Sequence, residues 1–380
     1  MNADKMHGVE DNAERALLVA LELSLKKWRV AMAPVGSVKR RVTEIEGGDY
    51  AALAEALRTG RQRFGLSGTA PVVFCYEAGR DGFYPCRRLE EAGHTVWVVD
   101  SSSIEVSRQQ RRAKSDGIDV DKLLALMQRQ GQGDRALKVV RVPTPAQEDE
   151  RQRIREREEL RGECAALRTR MRSLVFLQGW RDVPSSVRGI GRWLSAHEER
   201  LGFNLRERLR REYERLDCVQ RQLQAVDAQL RAQREAANAG EATIDAVSQR
   251  LVQLRGIADT GAATLSAEMF GWRRFRNRRE VGACAGLTPT PYQSGDSQRE
   301  QGISKAGNRR VRRLIVQLSW QWLRHQPDSV LTQWFQRRYS GTGKRGRRVG
   351  IVALARKLLI ALWRYVEEGE VPAGARLKAA

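Results

Sequence analysis

The segment Lys114-Ser115-Asp116-Gly117-Ile118-Asp119 sets two carboxylates three residues apart, just after the basic run Arg108-Gln109-Gln110-Arg111-Arg112. On a helix, residues at i and i+3 share a face. Two acids on one face, ringed by Arg108, Arg111, Arg112 and Lys114, can hold a divalent cation against a phosphate. The competing reading is a solvated face whose acids pair with the neighbouring cations. Two further acids favour chemistry. Glu22 and Glu77 end the apolar runs that begin at Leu17 and Pro71, where a lone charge is costly unless neutralised. Carboxylate oxygens suit Mg²⁺, which keeps waters and accepts phosphate oxygens. Two such ions about 4 Å apart activate a hydroxyl and stabilise a leaving oxygen. Glu22, Glu77, Asp116 and Asp119 are therefore the candidate catalytic acids and Mg²⁺ ligands, with phosphodiester chemistry as the reaction class. Asp100 and Asp121 are rivals. Asp121 is turned away from Asp116 on the helix, and Asp100 stands where it can cap the next segment.

Ser294 is the second candidate. It lies in the Gly/Ser/Pro-rich stretch from Gly286 to Asn308, ahead of Arg299, Lys305, Arg309 and Arg310. A serine hydroxyl is a poor nucleophile unless activated, and nearby guanidinium groups can orient a phosphate and stabilise a pentacovalent transition state. By chemistry alone Ser297 and Ser304 are its equals, and Ser294-Gly295 also reads as a simple turn. The stretch is expected to be an elaborate, functional loop. Downstream, Arg309-Arg310-Val311-Arg312-Arg313, Arg337-Arg338 and Lys344-Arg345-Gly346-Arg347-Arg348 have no acid beside them in the chain. Lys344 to Arg348 reads as a Gly-rich phosphate-contacting loop. Trp322, Trp334, Phe335 and Tyr339 could stack on bases or fill the core of amphipathic helices, and Trp320 is read as core. Leu254 to Leu265 reads as a helix, a glycine turn and a helix, whose turn amides could bind a phosphate.

Composition sets the frame for these groups. The chain has 380 residues, with 68 Lys plus Arg against 46 Asp plus Glu, a net charge of +22. That length exceeds one ordinary core, and that charge points to a polyanionic partner, usually nucleic acid. No apolar run is long enough to span a bilayer, and the polar N-terminus is no secretory signal. The 5 cysteines form no C-x-x-C pair, which argues against zinc and a disulfide framework and for a cytosolic setting.

The elements that must position the acids are three strands, a helix, and then strand, helix, strand and helix across residues 1–145. That order predicts a ribonuclease-H-like mixed sheet, with the acids gathered at one edge. Residues 146–250 read as two long helices, with Pro184 and Gly189-Ile190-Gly191 in the break between them. The seam Leu216, Val219, Leu223, Val226 and Leu230 is heptad-like and fits either a coiled-coil dimerisation device or internal packing. Residues 251–380 read as mainly helical, closed by helices over about Arg309–Arg324 and Val349–Val366.

Several blocks together carry a family resemblance. They are Val19-Ala-Leu-Glu-Leu-Ser-Leu-Lys-Lys27, Tyr76-Glu-Ala-Gly79, Lys114 to Asp119, Ala285-Gly-Leu-Thr-Pro289, Gln293-Ser-Gly295 and Gly302-Ile-Ser-Lys-Ala-Gly-Asn308. In this order they resemble the DEDD transposases of the insertion-sequence one-ten family, eleven-eleven subgroup. The resemblance implies an α/β RuvC-like N-terminal domain, a helical coiled-coil linker and a mainly α C-terminal transposase domain. It implies Glu22, Glu77, Asp116 and Asp119 as the acidic tetrad, and Ser294 as the nucleophile. It further implies DNA recombination guided by a structured bridge RNA, a homo-oligomer built as a dimer of dimers, and a bacterial, nucleoid-associated cytoplasmic enzyme. Nucleic-acid contacts are expected from Arg108, Arg111, Arg112, Lys114, Arg299, Lys305, Asn308, Arg309, Arg310, Lys344, Arg345, Arg347 and Arg348. Glu22 departs from the commoner Asp at the first acid, moving that carboxylate by about 1.5 Å. Ala258 replaces the second glycine of the turn. The residues alone also admit a metal-dependent junction endonuclease, or a non-catalytic nucleic-acid-binding protein.

Overall fold

The computed structural model describes residues 16–79, 82–100, 116–131, 133–134, 137–238, 246–294 and 297–378. The side chains of 116–119, 234, 236–238, 291–294 and 297–301 stand outside that description. The chain divides into two compact units, one reaching to Pro143 and taking in Trp272–Arg276, the other comprising Thr144–Gly271 and the residues from Asn277 onward.

The first unit is a five-stranded mixed sheet. Its elements are β1 (Leu17–Glu22), β2 (Lys27–Pro34), β3 (Arg41–Glu46), α1 (Tyr50–Arg63), β4 (Val72–Glu77), α2 (Tyr84–Glu91), β5 (Thr95–Val99) and α3 (Asp116–Gly131). The strand order is β3-β2-β1-β4-β5. β1 is antiparallel to β2 and parallel to β4, and β4 is parallel to β5. Burial explains the order. Leu17 to Leu21 are buried without alternation, as a central strand covered on both faces requires. β3 alternates between partly buried and exposed residues, as an edge strand with one wet face does. On one face α1 and α2 pack Leu53, Leu57, Cys86 and Leu89 against Val19, Leu21, Phe74 and Tyr76. On the other, Val120, Leu123, Leu124 and Met127 of α3 cover Leu18, Ala20, Val73 and Cys75. Asp49 caps α1, its carboxylate accepting from the amide of Ala52 at 2.8 Å. The strands and helices expected between Leu17 and Gln130 are all present. The helix expected from Arg80 is shorter, starting at Tyr84 with Pro85 in its first turn.

The second unit begins with a long antiparallel helical hairpin, α4 (Pro145–Phe176), α5 (Val187–His197) and α6 (Phe203–Asn238). Thr144 and Gln147 form a reciprocal capping box ahead of Pro145. Arg157 meets Asp227 at 2.5 Å, Arg168 meets Gln220 at 2.7 Å and Arg170 meets Glu212 at 3.0 Å, so α4 and α6 run in opposite directions. Leu160, Leu167 and Met171 share one core with Leu209, Leu216, Leu223 and Val226, and Val219 and Leu230 pack against it. The heptad-like seam is therefore filled by the chain's own α4. The break between the long helices holds a third helix. Gly189 and Gly191 lie inside α5, where a Cβ would come within 2.7 Å of Pro184 and 2.5 Å of the Tyr213 hydroxyl. Those glycines are contact surfaces, not a linker.

The rest of this unit comprises α7 (Ala246–Val252), α8 (Asp259–Leu265), a π-helical turn (Ser266–Phe270), α9 (Arg278–Cys284), the hairpin β6 (Pro289–Ser294) and β7 (Ser297–Ile303), α10 (Arg309–His325), α11 (Val330–Tyr339) and α12 (Lys344–Glu368). Three helices thus end the described chain where two were expected. The extra one, α11, starts from the Ser329 cap, whose hydroxyl accepts from the Leu331 amide at 3.3 Å. α12 starts at Lys344, so the basic Gly-rich stretch is helix, not loop. Among the described residues no helix is long and apolar enough to cross a membrane.

Candidate functional site

The register of the first sheet brings two of the predicted acids together. β1 and β4 pair Leu21 with Tyr76 in parallel, so the next residue on each strand is an acid, Glu22 and Glu77. Adjacent strands lie about 4.8 Å apart, and the two carboxyl groups leave the same sheet end as neighbours. The pleat sets their face. Leu18, Ala20, Val73 and Cys75 line the α3 side, and Glu22 and Glu77 continue that alternation. Glu77 is exposed; Glu22 is partly buried, with Oε2 shielded from solvent.

α3 runs along this same face. The Gln128 amide donates to the carbonyls of Pro34 at 2.8 Å and Ser37 at 3.2 Å, and its oxygen accepts from the Gly36 amide at 2.8 Å. Pro34 pairs with Leu17, at the far end of β1 from Glu22. Leu17 to Glu22 spans about 17 Å of strand, and Gln128 back to Asp116 spans about 18 Å of helix. α3 is therefore long enough to reach from the Pro34 end of the sheet toward the end that carries Glu22 and Glu77, and its first turn carries Asp116 and Asp119. The side chains of Asp116 and Asp119 lie outside the described residues, as do Arg108, Arg111, Arg112 and Lys114 entirely. Among the described residues no group of three or more His, Cys, Asp or Glu gathers as a metal site. The two rival acids have other settings. Asp121 is held by Arg40 at 2.9 Å. Asp100 follows Val98, whose side chain belongs to the opposite face, and meets Lys138 at 3.7 Å.

The stretch around Ser294 is a β-hairpin, not an elaborate loop. Its ladder ends with Ser294 opposite Ser297, leaving Gly295 and Asp296, both outside the described residues, between the strands. A Gly-Asp pair between two strands is a two-residue hairpin signal, and it stood legible in the sequence. Ser294 and Ser297 share the tip. Ser304 is at the base, about 20 Å away along the strand, where its amide donates to the Thr288 carbonyl at 2.8 Å.

A dense set of hydrogen bonds fixes this base. The amides of Lys305 and Asn308 donate to the carbonyls of Gly286 at 3.1 Å and Cys284 at 2.7 Å. Arg312 donates to the carbonyls of Ala285 and Lys305 at 2.9 and 3.0 Å. Gly307 has φ +116°, and a Cβ there would sit 2.4 Å from the Cys284 carbonyl oxygen. Lys305 has φ 56°, the one positive value among the described non-glycine residues. Asn308 caps α10, its Oδ1 accepting from the amides of Arg310 and Val311 at 2.9 and 3.1 Å. Its Nδ2 donates to Oε2 of Glu268 at 2.8 Å, and Arg155 donates to both oxygens of Glu268, at 2.7 and 3.1 Å. Burial pushes the Glu268 carboxyl up, but the bonds from Arg155 and Asn308 outweigh it and hold it below its ordinary range. Sequence reasoning missed Glu268 and Arg155. The signal was a lone acid in the otherwise uncharged run Gly261 to Phe270.

The predicted cations divide. Arg310, expected to lack an acid neighbour, meets Glu158 and Glu159 of α4, each at 2.9 Å, and Arg313 meets Glu158 at 2.6 Å. The acids come from residues distant in sequence, which adjacency in the chain does not show. Asn308 is engaged at both ends of its amide, as above. Lys305, Arg309, Lys344, Arg345, Arg347 and Arg348 are exposed; the Arg299 side chain lies outside the described residues. Trp320, expected in the core, is 42 % exposed. The glycine turn before α8 has fewer amides for a phosphate than expected, since Leu254, Arg255 and Ile257 donate to the carbonyls of Leu251, Arg376 and Leu254.

A mixed sheet with acids at one edge, followed by a basic helical unit, is the setting in which the comparisons fall. Residues 248–335, which span the serine hairpin and its base, match the model of the transposase IS116/IS110/IS902 family. The chain is also 39 % identical over 384 residues to the protein described as "Putative transposase y4rJ" of Sinorhizobium fredii, covering 96 % of this chain and 95 % of that one. The chain belongs to this transposase family, whose members cut and rejoin DNA.

Proposed function

We propose that this chain is an RNA-guided DNA recombinase in which Ser294 is the nucleophile and Glu22, Glu77, Asp116 and Asp119 form a Mg²⁺-binding tetrad. The observation that carries the reading is the pairing that sets Glu22 and Glu77 side by side at the ends of β1 and β4, on the face that α3 covers, in a sheet with order β3-β2-β1-β4-β5. That order, with β1 antiparallel to β2 and parallel to β4, supports a RuvC-like, ribonuclease-H-like identity for the first unit. The donor set fits Mg²⁺, because it consists of carboxylate oxygens alone. Bound there, Mg²⁺ would polarise phosphate oxygens. Residues Ser294 and Ser297 are equals by position, and the family pattern favours Ser294, which precedes a glycine.

In the proposed step the Ser294 oxygen attacks a DNA phosphorus. The bond from phosphorus to the deoxyribose oxygen breaks, and that oxygen leaves with a proton as a free hydroxyl. Reversal with the hydroxyl of another strand rejoins the DNA and frees the serine. The α12 start gathers Lys344, Arg345, Arg347 and Arg348 with no acid in its first turn. Like charge at the positive end of a helix dipole is unfavourable, and a bound phosphate backbone removes that penalty. We further infer a bridge RNA as guide, a tetramer arranged as a dimer of dimers, and the bacterial cytoplasm as its setting. Because the guide RNA would read the target by base pairing, target choice would reside in the RNA and not in these side chains.

The test is covalent capture. Labelled element DNA, incubated with the protein, Mg²⁺ and its co-purifying RNA, should yield a protein–DNA adduct on a denaturing gel, absent from Ser294→Ala. Adducts that persist in that variant move the nucleophile elsewhere. Cut ends without adducts, unaffected by Ser294→Ala, would instead identify a junction endonuclease using the acids alone.

A further inference from the structure

We propose that Glu268, held by Arg155, is a positioning residue that aims the serine hairpin through Asn308. This rests on the reading that the hairpin tip carries the nucleophile. Glu268 is 1 % exposed and lies in the π-helical turn after α8, where the Gly271 amide reaches back to the Ser266 carbonyl at 2.9 Å. Such widened turns recur at functional sites. Both carboxylate oxygens are used. Oε1 takes Arg155 Nε, and Oε2 takes Arg155 Nη2 and Asn308 Nδ2. A fork of this kind fixes direction as well as distance.

Asn308 is the residue at which that direction matters. Its Oδ1 must face the first amides of α10 for the cap to form. Glu268 accepts from the other end of the same amide, so only one orientation satisfies both. The Asn308 backbone amide then ties to Cys284, and residues 304–307 lead back from Asn308 into β7. That connection includes Lys305 at φ 56°, a conformation that persists in a non-glycine residue only where the surroundings over-determine it. The anchor is therefore stiff where a two-stranded ribbon is weakest.

Leverage makes the stiffness count. The hairpin is about 20 Å long, so a tilt of about 10° at the base moves the tip by about 3 Å. A displacement of about 1 Å can lower a rate about 100-fold.

The experiment reverses the hydrogen bond in the full-length protein. In Glu268→Gln, a side-chain amide has one donor end facing either Arg155 or Asn308, both of which are donors. In Asn308→Asp, two carboxylates face each other. In the double variant, the amide introduced at position 268 accepts from Arg155 and donates to the carboxylate introduced at position 308, whose other oxygen still caps α10. Two quantities are read: single-turnover adduct formation at saturating DNA, and amide hydrogen exchange across residues 302–308. Each single variant should slow adduct formation about 100-fold and speed exchange, with DNA affinity within about threefold. The double variant should recover both. A folded Glu268→Gln with wild-type adduct rate, or a double variant that recovers neither quantity, overturns the inference. If a single variant fails to fold, recovery of rate and exchange in the double still decides. Adducts persisting in Ser294→Ala would sink the serine reading separately; the exchange arm then decides the anchor, with unchanged exchange in Glu268→Gln overturning it.

Discussion

The sheet edge of the first unit and the hairpin base of the second hold their functional groups by opposite means. Glu22 and Glu77 are placed by apolar register. Rows of buried apolar side chains on both faces of β1 and β4 fix which residues come last and which way they turn. The base of the serine hairpin is held differently. A two-stranded ribbon is marginal by itself, and this one stands on a lattice of polar contacts, from Arg312 to two carbonyls and from Arg155 through Glu268 to Asn308. Apolar register sets the strand ends by packing, so it should tolerate a substitution that keeps the shape of the acid it presents. A polar lattice is itself the holding, so substitutions there should alter structure and activity together.

The sharpest test of this contrast has the largest effect. Glu77 is exposed at the end of its strand, so Glu77→Gln should leave the thermal midpoint nearly unchanged, as surface substitutions do. If Glu77 serves the proposed Mg²⁺ site, strand cleavage should fall by about 100-fold or more, since charge stabilisation at such a site amounts to several kcal/mol. A Glu77→Gln protein that melts early would break the contrast, because the sheet edge would then depend on charge as the hairpin base does.

Gly307→Ala probes the other side. The substitution puts a Cβ 2.4 Å from a carbonyl oxygen at φ +116°, with no flexible side chain to give way. A strain of about 1–3 kcal/mol is expected, lowering the midpoint by roughly 2–4 °C per kcal/mol and adduct formation with it. Retained stability with lost adducts would show that the base can shift without loosening.

The same contrast explains what could be read beforehand. β1 and β4 are legible because strands buried on both faces write themselves as unbroken apolar runs. The acids ending β1 and β4 are legible because a charge is conspicuous there. Asp116 and Asp119 are found by spacing, and the placement of their helix follows from Gln128, whose bonds to Pro34, Gly36 and Ser37 no local pattern announces. The hairpin reads as a loop because glycine, serine and proline outweigh a two-residue turn signal. Its anchors are invisible for a different reason. Arg155 and Glu268 lie 113 residues apart and Glu268 and Asn308 lie 40 apart, and pairing at that distance leaves no periodicity. Arg310 reads as free of acid neighbours for the same reason, since Glu158 and Glu159 are its neighbours only in space.

Acid should separate the two regions further, with a smaller effect. The Glu268 carboxyl is held below its ordinary value of 4.5, chiefly by Arg155 acting against burial. A carboxyl depressed on folding adds stability above its unfolded value and loses that contribution as pH falls through the folded value. Each unit of depression is worth about 1.4 kcal/mol. Urea midpoints of the wild type and Glu268→Gln should therefore differ by a constant amount at neutral pH and converge as pH falls below 4.5. If the difference stays the same on acidification, the pair is held by shape and not by charge. The hairpin base would then resemble the sheet edge after all.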